Sequence, residues 1–286
     1  MIDLLGRLSV IPSFVPGANF GDFAWNAWRE LEPPVTQWLW TVRDRGGSVI
    51  GLIWIEDGGE FSLTLDPACA LYDQALRAMT AHAEMAGHDS RGRSGEIGTT
   101  ILGDDLAMNR ILTEAGFANS GIVRHHTFRR WLTGAVDVPK LVDGFRFMQI
   151  GSDRLVAERS AAQLAVWPES SAQEAFLRKA YRSPLYCPEL DLAVEAPDGR
   201  VAAFLTGWVV DAWRAAQFEP IGARPEFRRM GMTKALVLEA VRRATAMGLV
   251  VAYINCGADN AAGNALYSSA GLDLAGQWIW WSKGQE

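Results

Sequence analysis

The stretch Ala223-Arg224-Pro225-Glu226-Phe227-Arg228-Arg229-Met230-Gly231-Met232-Thr233-Lys234-Ala235-Leu236 decides the fold. Residues 215–223 are a β-rich run. Arg224-Pro225 stops it, because proline has no amide hydrogen for a ladder and restricts the residue before it. Beyond it, Leu236, Ala240, Val241 and Ala244 recur at helical spacing and Gly248 is a C-terminal stop, which predicts a helix from near Gly231 to Met247. The stretch is therefore a strand, a tight turn and a helix. The first amides of such a helix lack internal partners and the macrodipole adds partial positive charge, so the turn is suited to a phosphate or pyrophosphate. Gly231 has no side chain to block the approach, and Arg228, Arg229 and Lys234 add full charges. The alternative is a basic helix start that is merely solvated. Cations there oppose the dipole, an electrostatic cost that a bound anion removes.

Working outward, the second half continues with strands at 145–150, 190–195, 200–210 and 249–256, and helices at 153–166 and 171–181 with Ser170 as an N-cap. A short helix ending in Gly271-Leu272 and a Trp-rich last strand follow. The first half has the same grammar. After a helix at 22–31 broken by Glu32-Pro33-Pro34, strands at 37–42 and 48–56 flank the turn Arg43-Asp44-Arg45-Gly46-Gly47. A strand at 60–65 halts at Asp66-Pro67, and a helix at 71–85 is stopped by Gly87 and followed by a polar loop at 89–95. A strand at 96–102, a short helix at 106–115 ending in Gly116-Phe117, and a long strand or hairpin at 120–132 complete it. This repetition predicts a tandem duplication with its seam near 133–143, hence domains 1–137 and 138–286. The class is α/β, with a mixed, mostly antiparallel sheet in each half flanked by helices; the hairpins exclude an all-parallel sheet.

Composition narrows the function. A chain of 286 residues with 49% hydrophobic and 21% charged residues has mass for two cores and is not a disordered chain. A net charge of −6 disfavours nucleic acid and anionic membrane as partners, so an anion site must be built locally. Cys69, Cys187 and Cys256 form no CxxC or zinc-spaced set, and no metal is expected. G-x-x-x-x-G-K, G-x-G-x-x-G, G-x-S-x-G and H-E-x-x-H are all absent. The start, Met1-Ile2-Asp3-Leu4-Leu5-Gly6-Arg7, does not read as a secretory signal, and no apolar stretch approaches the ~20 residues that span a bilayer, so a cytoplasmic location is expected.

Arg228-x-x-Gly231-x-Thr233 resembles the Q/R-x-x-G-x-G/A pyrophosphate loop of the GNAT superfamily of N-acetyltransferases, and it follows a strand and X-Pro as in that family. Asn260-x-x-Gly263-x-x-Leu266-Tyr267-x-x-x-Gly271-Leu272 is similar to the family's N-x-x-A-x-x-L-Y-x-x-x-G-F helix. Thr233, Gly263 and Leu272 depart from the pattern. The resemblance covers residues 144–283; in the first half only the element order and Leu112-x-x-x-Gly116-Phe117 survive.

The resemblance implies two tandem GNAT-like domains, each with a splayed strand pair, and acetyl-CoA as co-substrate attacked directly by an acceptor amine. The splayed pair is then 215–223 and 249–256, with the backbone of Ile221 and Ala223 pairing with the pantetheine arm. Arg228 and the amides of Arg229, Met230, Gly231, Met232 and Thr233 hold the pyrophosphate. Asn260 binds pantetheine, caps the following helix, or does both. Tyr267 is the candidate general acid toward the CoA thiolate, or else an amphipathic core tyrosine. Glu219 is the candidate base, or a solvated or ion-paired strand residue; Pro220 beside it implies a bulge or an edge.

Cys256 reads as a buried, inert thiol, and His125-His126 as no metal site, since adjacent strand residues face opposite ways. Trp167, Trp208, Trp278, Trp280 and Trp281 come from segments flanking the acceptor side. Glu169, Glu189 and Asp191 suit a cationic amine or are plain surface. The first-half turn Asp66-Pro67-Ala68-Cys69-Ala70-Leu71-Tyr72-Asp73 has neither glycine nor Arg or Lys, and Thr113 rather than tyrosine follows Leu112. That half is expected to be a degenerate copy. The expected function is acetyl transfer to a primary amine of a small molecule, with a homodimer left open. The rivals are a non-catalytic acyl-CoA-binding or regulatory module, and a flavin or nicotinamide enzyme.

Overall fold

A computed structural model describes residues 4, 8, 39–55, 59–89, 96–170 and 174–284. The expected helix at 22–31 and most of the loop at 89–95 lie outside them. In the first half, β1 (Leu39–Arg43), β2 (Val49–Ile55) and β3 (Glu60–Leu65) are antiparallel neighbours. Helix α1 (Tyr72–Asp89) then crosses to β4 (Ile97–Leu102), which runs parallel to β3, and α2 (Leu106–Glu114) leads into the long β5 (Ala118–Trp131). Helix α1 runs through Gly87 rather than stopping there, since a single helical glycine costs only about 1 kcal/mol. A connection without regular structure crosses residues 132–145.

The second half comprises β6 (Arg146–Gln149), α3 (Asp153–Val166), α4 (Glu174–Ala180), β7 (Leu192–Glu195), β8 (Val201–Val210) and β9 (Ala215–Ala223). Helix α5 (Met232–Ala246), β10 (Val251–Gly257), α6 (Ala261–Ser269) and β11 (Asp273–Lys283) complete it. Ser170, read as the cap of the second helix, takes a hydrogen bond from Gln163 Nε2 at 3.1 Å; residues 171–173 lie outside the described set.

The expected mixed sheets are joined. All eleven described strands form one sheet in the order β1-β2-β3-β4-β11-β5-β10-β9-β8-β7-β6. The last strand of each half pairs in the other half's sheet: β11 runs antiparallel to β4, β5 runs antiparallel to β10, and the two also pair with each other. Each half otherwise repeats the same plan, a hairpin followed by a parallel pair crossed by a helix.

Alternation along β8 sends side chains to two cores. Ala203, Leu205 and Val209 meet Leu236, Val237, Ala240 and Val241 of α5, while Phe204, Trp208 and Val210 share a core with Leu155 of α3 and Phe176 and Leu177 of α4. Fully burying a Val, Leu or Phe contributes about 1.5–3 kcal/mol, so these layers hold the sheet that carries the site. The first half has its own core of Phe61, Leu76, Ile97, Ile111 and Leu112, which also takes in Trp281 from β11.

Candidate active site

The parallel pair β9 and β10 hydrogen-bonds only at its start, with Ala215, Ala216 and Gln217 opposite Val251, Ala252 and Tyr253. The pairing then stops. On its other side β9 bulges: Ile221 faces Leu205 and Phe218 faces Gly207, so Glu219 and Pro220 oppose Thr206 alone. The bulge implied by Pro220 is therefore present, next to the point where the strands part. Beyond that point no ladder pairing joins Glu219, Pro220, Ile221 and Ala223 of β9 to Ile254 to Gly257 of β10.

Glu219 is half-buried and held at two points: its carboxylate accepts from Gln217 Nε2 at 3.0 Å, and its carbonyl accepts from Trp208 Nε1 at 2.7 Å. Trp208, fully buried, is thus an anchor for the bulge and not the wall of an open pocket. Neither Trp208 nor Gln217 carried a motif; the strand register brings Trp208 to Glu219, and Gln217 stands two residues before it on the same strand.

At the far end of β9, Arg224 Nε–H bonds Val201 O at 2.9 Å and a single 3-10 turn, Pro225–Phe227, leads to Arg228. Arg228 folds back to donate to Ala223 O at 3.3 Å. Arg229 and Gly231 have φ of 62° and 77°. A Cβ on Gly231 would meet nothing within 4 Å, so glycine is required there for its dihedral rather than for space. No side chain caps α5 and its first turn has no acid; Arg228, Arg229, Met230 and Gly231 are exposed just before it, while Met232, its first residue, is buried.

The corresponding first-half turn differs. Asp66 Oδ1 accepts the amide of Ala68 at 2.9 Å, and Asp73 pairs with Arg110. Burial first, then Asp105, Asp73 and Cys69, pushes the Tyr72 phenol up to about 12.

At the end of β10, Asn260 caps α6 by accepting from Gly263 N at 3.0 Å, so its capping role is realised. Gly263 replaces the alanine of the family pattern because a Cβ there would lie 2.9 Å from Cys256 Sγ and 2.7 Å from Asn260 Nδ2. Tyr267 is 8% exposed, tilted at 60° to Phe128 of β5 with centroids 5.5 Å apart. Burial, then Cys256 and Glu219, pushes its phenol up, so it stays protonated. Cys256 is buried, and burial followed by Asp259 pushes its thiol up to about 11, which removes it as a thiolate nucleophile.

Three sequence expectations change. Asp191 is fully buried, accepting from Tyr186 Oη at 2.8 Å and Thr206 Oγ1 at 3.0 Å, so it is no surface partner for an amine. Trp281 belongs to the first-half core, while Trp278 Nε1 donates to Thr127 Oγ1 at 3.0 Å. Finally, Phe117 N bonds Leu112 O as Leu272 N bonds Tyr267 O, so Leu112 and not Thr113 occupies the place of Tyr267. The spacing from Gly116 and Gly271 gives the same equivalence. Among the described residues no cluster of His, Cys, Asp and Glu could hold a metal, and no helix is long and apolar enough to cross a membrane.

Residues 154–272 match the model of the acetyltransferase (GNAT) family. No curated protein matches the chain. Its fold is similar to a GCN5-related N-acetyltransferase from Sphaerobacter thermophilus, with a TM-score of 0.68 and 15% identity over 100% of this chain and 93% of that one. A tandem GNAT protein from the clavulanic acid biosynthesis pathway gives 0.66 and 16% over 100% and 94%. A GNAT-family acetyltransferase from Colwellia psychrerythraea gives 0.60 and 15% over 98% and 93%. Identities this low establish shared fold and no more. Residues 154–272 thus carry a domain matching the acetyltransferase (GNAT) family, within a chain whose whole fold is similar to that of a tandem GNAT protein.

Proposed function

We propose that the chain is an acetyl-CoA-dependent N-acetyltransferase acting on a primary amine of a small molecule, with its chemistry in residues 138–286 and a degenerate copy in 1–137. The observation that carries this reading is the early end of the β9–β10 pairing next to the bulge at Glu219-Pro220, with an uncapped, acid-free helix start after β9 and the buried Tyr267 on the helix after β10. Arg228 and the amides of Arg229, Met230, Gly231, Met232 and Thr233 hold the pyrophosphate. The backbone of Ile221 and Ala223 lines the pantetheine arm, and Asn260 keeps the loop after β10 closed while capping α6. Glu219 takes a proton from the acceptor ammonium. As the amine nitrogen bonds to the acyl carbon and the C–S bond breaks, Tyr267 donates its proton to the departing sulfur, and the second proton that the nitrogen sheds on becoming an amide returns through solvent to the Tyr267 phenolate. The buried phenol, coupled to Glu219, suits a donor that must remain protonated at neutral pH.

The degenerate reading of the first half is supported by Asp66 occupying its own turn, the carboxylates around Tyr72, and Leu112 in the place of Tyr267. Calorimetry with acetyl-CoA, with thiol release measured for parent and Tyr267→Phe, tests the assignment. The variant is expected to bind acetyl-CoA like the parent and release thiol about 100-fold more slowly. Absence of binding at millimolar acetyl-CoA overturns the reading. Binding without turnover, unchanged by Tyr267→Phe across a panel of amines, favours a carrier module.

A further inference from the structure

The two halves carry the same frame with different side chains around the last helix. Counting from the caps Asn260 and Asp105, Cys256 corresponds to Ile101, Asn264 to Asn109 and Tyr267 to Leu112. Across the exchanged strands, Cys256 faces His126 whereas Ile101 faces Ile279. The second half thus has a thiol, an imidazole and a phenol where the first has three aliphatic side chains. The imidazole comes from the other half of the chain.

His126 is tied to the helix that bears Tyr267. Asn264 Nδ2 donates to Asn260 O at 2.8 Å and Gly257 O at 3.0 Å, so its Oδ1 faces His126 Nδ1 at 2.7 Å. The ring therefore donates from Nδ1 and accepts at Nε2 from Gln277 Nε2, 3.3 Å away on β11. Arg124 O of the same strand accepts from Ala258 N at 2.9 Å, so β5 grips the loop between β10 and α6 by backbone as well. Asn264 lies one turn before Tyr267 on α6. An imidazole bonded on both sides fixes Asn264, Asn264 fixes the loop, and the loop sets where the helix and its phenol stand.

We infer that His126 is a positioning residue for acyl transfer: through Asn264 it aligns α6 and Tyr267, and the first half thereby supplies part of the second half's site. This inference rests on the acyl-transfer reading above. The test uses the full chain as parent, His126→Ile and His126→Gln. Isoleucine is the aliphatic residue that the fold already accepts at the matching place, and glutamine restores a donor toward Asn264. Each protein is melted, titrated calorimetrically with acetyl-CoA, and assayed for thiol release from acetyl-CoA in water and with a panel of primary amines.

His126→Ile is expected to fold, to keep acetyl-CoA affinity within about twofold, and to release thiol about tenfold more slowly, as a small misplacement of a reacting group does. His126→Gln is expected to recover most of that rate. If His126→Ile matches the parent's rate within about twofold, or His126→Gln is as slow as His126→Ile, the positioning role is refuted while parent turnover leaves the acyl-transfer reading standing. If the parent neither binds acetyl-CoA nor releases thiol, both fall together.

Discussion

Replacing Gly231 by alanine separates backbone conformation from packing at the phosphate turn. The residue sits at φ 77°, and a Cβ there meets nothing within 4 Å, so no steric or cavity contribution enters. A left-handed conformation costs a non-glycine residue roughly 1–2 kcal/mol. The narrower unfolded ensemble of alanine offsets about 0.4–1 kcal/mol of that. The net loss is about 1 kcal/mol, or roughly 2–4 °C in Tm for a body of this size. If the turn instead relaxes to negative φ, the amides of Met232 and Thr233 swing away and acetyl-CoA affinity falls. Thermal unfolding with and without acetyl-CoA reads both, because a ligand bound only to the folded state raises Tm by an amount that grows with the logarithm of its affinity. Gly231→Asn is the control, since asparagine tolerates this conformation better than alanine. The reasoning is refuted if Gly231→Ala melts at or above the parent temperature and shows the same acetyl-CoA-induced shift.

Three further outcomes follow from the geometry. Gly263→Ala gains about 1 kcal/mol of helix propensity but forces contacts at 2.7–2.9 Å. Overpacking of about 1–3 kcal/mol leaves it less stable by up to ~2 kcal/mol, and adding Cys256→Ala should return part of this in a double-mutant melt. The Cys256 thiol has its folded pKa raised from 9.0 to about 11, so its contribution to stability is present below pH 9 and lost as pH climbs toward 11. Cys256→Ala should flatten that part of the alkaline stability curve, and at pH 8 the native thiol should resist iodoacetamide. Residues 138–286 expressed alone leave all seven residues of β10 without their β5 partner, and are expected to be insoluble or aggregated until residues 1–137 are co-expressed. A soluble, cooperatively melting fragment contradicts the interdependence of the halves.

Much of this architecture was legible from local chemistry. Asp66-Pro67 and Arg224-Pro225 end strands because proline cannot continue a ladder, and Gly248 and Gly271 adopt the positive φ that their positions demanded. The basic helix start and the Asn260 cap lie where the spacing put them. The exchange of β5 and β11 was not legible, because hydrophobic alternation says which face of a strand is buried and nothing about which strand lies beside it. The roles of Trp208 and His126 escaped for the same reason, since each acquires its role from a neighbour on another strand. Asp191 was misread as surface because a carboxylate's polarity hides the hydroxyls of Tyr186 and Thr206 that satisfy it inside. The place of Tyr267 in the first half was misjudged by one residue, by counting from a leucine rather than from the glycine whose dihedral anchors the turn.

The interleaving of β11 between β4 and β5 constrains the order of events at the ribosome. The first-half strands emerge early, yet β4 and β5 cannot meet each other; the slot between them is filled by a segment translated long after both. Until it arrives, nascent chain carries two open ladder edges facing a gap one strand wide, the state most vulnerable to pairing with a neighbour on the same message. Slow synthesis past the Trp-rich final strand, or a stop codon just before it, should therefore harm yield far more than an equal delay or loss elsewhere in the second half.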